Sequence, residues 1–248
     1  MTDLDLLPGV PESYVRERFE RSPGNELAGK FTSPVSSAAL AANCFAWFHH
    51  RPELLPPLPG VAKGFHAARV EIEYKAAFPW SGGHHPWLDA AILDGERIIG
   101  IESKRYEPFR GRKTAPFSDA YDRPVWGNDM GPVVETMNRL KSGDLRFEFL
   151  DAAQLVKHAF GLVTEAERTR LAPTLFYLFA EPVALDGRAI GDSARQAHRN
   201  EIEAFAAAVD GAAVSFMASS YREWIETWDK AGEGVRSHGQ ALVTKFGI

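Results

Sequence analysis

Short apolar runs separated by turn-forming residues dominate the middle of the chain. From Ala68 to Lys75, Val70, Ile72 and Tyr74 alternate with Glu71, Glu73 and Lys75. That period of two predicts a half-buried strand with one polar face. Trp87 to Leu93 and Arg97 to Ile101 are short, largely apolar runs, the second rich in β-branched isoleucine and leading straight into Glu102-Ser103-Lys104, which predicts two further strands. Asp94-Gly95 lies between them, the strongest short signal for a hairpin. Upstream, Ala38, Ala39, Leu40, Ala41, Ala42, Cys44, Phe45, Trp47 and Phe48 are apolar all round a helix from Ser36 to His49. Such a helix is buried, and Ser33 or Ser36 is placed to cap it. Downstream the pattern predicts a helix over Asp151–Glu165, a strand over Thr174–Phe179 and a helix over Ser193–Val209. A strand over Ala213–Ala218 and an amphipathic helix over Tyr221–Lys230 follow. Trp224, Ile225 and Trp228 give that last helix a packing face, which is also a candidate dimer contact.

Two stretches break the pattern. Residues 1–32 read as an N-terminal arm, with a short helix around Ser13–Arg21 stopped by Ser22-Pro23-Gly24. Residues 115–140 read as an irregular insertion carrying Tyr121 and Trp126, whose rings either stack on a base or pack under the loop. Leu54 to Gly60 is a proline-rich, stiff connector. The rest, residues 33–248, is sized for one domain.

Composition narrows the function classes. No apolar run approaches the roughly 20 residues that span a membrane, and the acidic N-terminus lacks a secretory pattern. A single cysteine, Cys44, rules out an intramolecular disulfide and fits a reducing cytoplasm. It lies in an apolar helix face, as a core residue does. The net charge of −5 gives no global attraction to nucleic acid, so a DNA or RNA contact needs a local patch. Lys104, Arg105, Arg110, Arg112 and Lys113 form one, opposed only by Glu107.

The chemistry centres on the hairpin. With Asp94-Gly95 in a two-residue turn, Ala91 faces Ile98 and Asp89 faces Gly100. Asp89, Glu102 and Lys104 then share one face, the two carboxylates as diagonal neighbours about 7–8 Å apart. A turn longer by two residues keeps this parity; a three-residue turn breaks it. Two carboxylates so placed suit magnesium, a hard cation that takes one or two protein carboxylates plus water and phosphate. A nearby lysine suits orienting or activating water at a phosphodiester. Gly100 opposite Asp89 would leave room for the ligand.

Asp89, twelve intervening residues, then Glu102-Ser103-Lys104 resembles the motif of the PD-(D/E)XK nuclease superfamily. The order of elements is also similar: a helix, three strands with the motif on the second and third, a helix and a strand. The resemblance covers residues 33–220, with Leu88 standing where the motif carries proline. It implies an α/β (α+β) restriction-endonuclease-like core, with a central mixed sheet, an antiparallel meander and flanking helices. It implies Asp89 and Glu102 as ligands of Mg2+, with Mn2+ as substitute, the Ser103 carbonyl as a further ligand, and Lys104 as the catalytic lysine. Glu26, from the arm, and Glu73, on the polar face of the first strand, are candidates for further carboxylates. Gln154 and Lys157 are polar candidates on the second core helix. His84-His85 lacks the partners of a zinc site and reads as a loop element. The expected activity is hydrolysis of DNA phosphodiester bonds, in defence or repair, with RNA as the alternative substrate. A non-catalytic protein binding nucleic acid or a partner on the same fold is the rival. A glycosidase with paired carboxylates leaves the lysine unexplained.

Overall fold

The computed structural model describes residues 3–61, 64–110 and 117–248. Strands β1 (Arg69–Lys75), β2 (Trp87–Leu93), β3 (Arg97–Lys104), β4 (Ala172–Phe179) and β7 (Ser215–Ser220) form one sheet in that spatial order. β5 (Ala184–Leu185) and β6 (Arg188–Ala189) make a separate small hairpin. β1, β2 and β3 are an antiparallel meander, and β3, β4 and β7 are parallel. Parallel neighbours need long crossovers. Helices α3 (Gly131–Ser142) and α4 (Ala152–Thr169) supply the first, and α5 (Asp192–Ala208) the second. The mixed α/β sheet flanked by helices is the architecture expected of a restriction-endonuclease-like core.

Two apolar layers sandwich the sheet. On one face α1 (Glu12–Arg21), α2 (Ser37–Ala46), α6 (Tyr221–Glu226) and α7 (Glu233–Phe246) pack over Val70, Ile72, Ile92, Ile99, Ile101 and Leu178. On the other, α3, α4 and α5 pack over Ile98, Leu175, Tyr177 and Phe179. Ile98 therefore enters one core and Ile99 and Ile101 the other, which is why the middle of β3 is apolar without alternation. The Ser36 hydroxyl caps α2 by accepting from the Ala39 amide at 3.0 Å. Val15 and Phe19 of α1 belong to the first core, so the N-terminal segment is packed onto the sheet.

Several expectations change. The stretch 115–140 is only partly irregular: Pro132 opens α3 in its first turn and Gly143, left-handed at φ 82°, closes it. Tyr121 and Trp126 are buried, with Trp126 stacked on Phe160 at 4.2 Å, so neither ring is free for a base. Trp224 and Trp228 are buried inside the chain, which removes them as a dimer contact. The helix expected over Tyr221–Lys230 is α6 followed by a 3-10 turn, Thr227–Lys230. Among the described residues no helix is long and apolar enough to cross a membrane.

Candidate active site

The β2–β3 turn decides where the carboxylates fall. Leu93 pairs with Ile98, Ala91 with Gly100 and Ala90 with Ile101. The turn is two residues longer than expected because Asp94 builds it. Its carboxylate accepts the Glu96 and Arg97 amides at 3.1 and 2.7 Å and the Arg97 guanidinium at 2.7 Å. Parity survives, but Gly100 faces Ala91 and not Asp89. A Cβ there would lie 2.6 Å from Leu88 and 2.9 Å from Leu162. Gly100 makes room for core packing, not for a ligand.

The strands then open at the site. Partners Ile72 and Ala90 pack in the first core, while partners Tyr74 and Leu88 pack in the second. Strict alternation would keep all four on one face, so both strands change face between these pairs. Glu73, left-handed at φ 47°, is where β1 does so. Arg18 of α1 holds the kink by donating to the Ile72 and Glu73 carbonyls at 2.8 and 2.7 Å. On β2 the ladder to β3 stops at Ala90, and the Asp89 carboxylate accepts the Ser103 amide at 2.7 Å.

A cavity of about 530 Å³ lies here, lined by Glu26, Glu73, Asp89, Gln154, Glu107 and Arg110 among others. Glu102 is buried behind it, 1% exposed. Its Oε1 is ion-paired with Lys104, and its Oε2 lies 3.0 Å from His158 Nδ1 on α4. The two oxygens thus face different neighbours, one on β3 and one on α4. Burial alone would raise the Glu102 carboxyl, but Lys104 and His158 outweigh it and hold it at about 2. Burial would lower Lys104, yet Glu102, Asp89 and Glu107 raise it. Asp89 is pushed well above the carboxylate range by burial, then by Glu102. Glu73 is raised to about 7 by burial, opposed by a Ser22 hydrogen bond and Arg18 and reinforced by Glu26 and Glu102.

Glu26, Glu73 and Asp89 thus line one cavity with Glu102 behind it, Glu73 and Asp89 each raised by neighbouring carboxylates, and Lys104 is the counter-charge on Glu102. Hard oxygen donors in surplus negative charge suit a divalent cation. Among the described residues no three His, Cys, Asp or Glu side chains form a ready-made metal cage. Magnesium fits the two-carboxylate pattern, since it ordinarily takes one or two carboxylates and fills its shell with water and phosphate.

The repulsion has a measurable consequence. Glu73 titrates near 7 when folded and near 4.5 in its ordinary state. Between those values the native protein binds more protons, so stability falls as pH rises through the window. In EDTA, Glu73→Gln is expected to match wild type near pH 4.5. Above pH 7 it should be the more stable, by on the order of 1 kcal/mol after allowing for solvent screening. Denaturant unfolding of both proteins at pH 5 and pH 8 checks this; a gap of equal size at both would contradict it.

Of the sequence-expected basic patch, Arg105 turns inward while Arg110 stays at the surface. Arg105 is 6% exposed and donates to the Pro34 carbonyl at 2.6 Å and to the Phe246 carbonyl. Its guanidinium ties α7 and the segment before α2 to the end of the central strand β3 and is not presented to a ligand. Arg110 is exposed and lines the cavity. Arg112 and Lys113 lie outside the described residues. Gln154 lines the cavity, whereas the Lys157 ammonium stands 5.2 Å over the Phe117 ring. His85 accepts the Phe78 amide at 3.0 Å, a loop role.

Two residues were not foreseen. Glu107 accepts the Arg105 and Tyr106 amides at 2.9 and 3.0 Å and pairs with Ser37, closing the loop after β3. His158 reaches Glu102 because α4 lies close on the sheet. A Cβ on Gly161 would meet Ala76 O at 2.8 Å and Pro86 Cγ at 2.7 Å. The signal for His158 was its spacing, one helical turn beyond Gln154.

Sheet, meander and carboxylate cavity together define a restriction-endonuclease-like protein. The chain belongs to the family described as restriction endonuclease associating with ARP, whose model matches residues 5–247. No curated protein and no solved structure matches the chain.

Proposed function

We propose that the protein is a PD-(D/E)XK nuclease that hydrolyses DNA phosphodiester bonds with Mg2+, Mn2+ serving as substitute. The observation that carries this reading is the assembly at one strand kink of Asp89, Glu102 and Lys104 beneath a carboxylate-lined cavity. Family membership supports a nuclease-like function.

Asp89 and Glu102 would hold the metal, with the Ser103 carbonyl as a further oxygen donor. When bound, magnesium supplies polarisation of the phosphate and a lowered pKa for the attacking water. The chain's own residues do the rest. Lys104 balances Glu102 in the free protein; once a cation supplies that balance, the ammonium is available to orient the water and to offset charge developing on phosphorus. Water oxygen bonds to phosphorus, the ester oxygen leaves with its electron pair, and the proton lost from water passes to solvent. The Ser103 amide fixes the Asp89 rotamer. Arg110, at the cavity, contacts backbone phosphate, a salt-dependent and sequence-independent interaction.

The test is cleavage of supercoiled plasmid and linear duplex in Mg2+, Mn2+ and EDTA, with Lys104→Ala beside wild type. Metal-dependent nicking is expected, with EDTA abolishing it and Lys104→Ala reducing it by about 100-fold or more. Metal-independent cutting, or equal cutting by the variant, would overturn the reading. Duplex binding without cleavage in any metal would leave a nucleic-acid-binding protein on the nuclease fold.

A further inference from the structure

We infer that His158 is a positioning residue for Glu102, setting which carboxylate oxygen is offered to the metal. The inference rests on the nuclease reading above and adds a residue from outside the Asp89, Glu102 and Lys104 motif.

The geometry assigns the two Glu102 oxygens different neighbours. Oε1 faces Lys104, on the same strand, and Oε2 faces His158, on α4. Lys104 is on a flexible stem and retains 15% side-chain exposure, whereas His158 is 4% exposed. The lysine therefore has more freedom to swing away than the imidazole. The imidazole is fixed by its helix, whose N-terminus is capped by Asp151 accepting the Gln154 amide at 3.0 Å. The helix is in turn fixed by two glycines. Gly161 lets α4 approach Ala76 and Pro86, and Gly100 accepts Leu162 of the same helix. Sequence alternation puts Ile98, Gly100 and Glu102 of β3 toward α4, the helix from which His158 reaches Oε2. With Oε2 held by His158, Oε1 is the oxygen released when Lys104 withdraws. Partners of this kind, which touch a ligand carboxylate and not the metal, typically set metal affinity by 10–100-fold.

The experiment is Mn2+ binding measured by electron paramagnetic resonance on the full chain, without substrate. Wild type, His158→Asn and His158→Leu are compared, each checked by thermal unfolding in EDTA. Asparagine places an amide nitrogen close to where Nδ1 stands; leucine keeps bulk and removes the polar contact. The expected result is Mn2+ affinity weakened by 10–100-fold in His158→Leu and restored to within a few-fold in His158→Asn. Cleavage at saturating Mn2+ should recover more fully than cleavage at limiting Mn2+. If wild type binds Mn2+ and His158→Leu binds it equally well, His158 is a packing residue and this inference fails while the nuclease reading stands. If wild type binds no Mn2+, the metal site itself is wrong and both fall. A His158→Leu protein that unfolds before it can be measured leaves the decision to His158→Asn. That variant must then bind Mn2+ like wild type, and loss of binding in it overturns the assignment.

Discussion

Asp89→Asn is expected to lose DNA cleavage by about 1,000-fold while keeping, or slightly raising, the stability of the metal-free protein. The two halves of this result have one cause. Asp89 is crowded by burial and by the Glu102 and Glu73 carboxylates, so its charge is unfavourable until a cation arrives. Asparagine keeps an oxygen that accepts the Ser103 amide, now made at 2.7 Å, so the β2–β3 connection survives. It removes the charge that would hold the metal. Loss of electrostatic stabilisation at a reacting centre costs roughly 100–1,000-fold for a single neutral donor, and a metal ligand belongs at or beyond the upper end. A site whose charge destabilises the resting fold is also what a functional constellation looks like, because selection for stability alone would have neutralised it. Plasmid-nicking rates and denaturant midpoints at pH 8 in EDTA test both halves. A variant that cuts within tenfold of wild type would remove Asp89 from the site. A variant that is inactive but several kcal/mol less stable would make Asp89 a structural residue.

Much of the meander was legible because its apolar patterns are local. The alternation over Val70, Ile72 and Tyr74 and the isoleucine-rich runs around Asp94-Gly95 marked three strands in their observed positions. What failed was the detail that depends on side chains bonding back to the backbone. Asp94 takes two amides and an arginine, which lengthens the turn and shifts the register by two. Parity survived only because the extra length was even. The change of face at Glu73 and Asp89 is invisible to a period-two reading, since Glu73 is a non-glycine residue at positive φ held there by Arg18 from a distant helix. Glu107 stands in the sequence as the one acid opposing a basic run, although its carboxylate closes the loop after β3. The last helix carries Val235, His238, Leu242 and Phe246 at helical spacing and buries all four, so its pattern was present in the sequence. Glu26, Glu73 and Gln154 come from three separate segments, and only the folded chain brings them to one cavity.

Arg105 and Arg110 illustrate how far a charge count can mislead, and they separate cleanly on substitution. Arg105→Ala is expected to lower stability by about 3 kcal/mol, which for a chain of this size is a fall in Tm of roughly 6–12 °C. The guanidinium donates to the Pro34 carbonyl and to the Phe246 carbonyl, the latter in the last turn of α7, where helix carbonyls lack partners of their own. It also stacks 4.8 Å from the Tyr106 ring and 5.2 Å from the Phe246 ring. Each acceptor left buried without a donor costs about 1–3 kcal/mol, and release of the buried guanidinium, whose pKa burial lowers, offsets part of that. Arg110 is placed differently, since it is exposed, lies 6.0 Å from the Tyr106 ring and lines the cavity. Arg110→Ala should leave Tm within about 1–2 °C of wild type. It should weaken duplex affinity uniformly across sequences and lower the dependence of log K on log salt by about 1. Thermal unfolding and a salt titration of duplex binding on the two variants give the comparison. A stable Arg105→Ala protein that binds duplex less tightly would return Arg105 to the nucleic-acid surface, where its place in the sequence had put it.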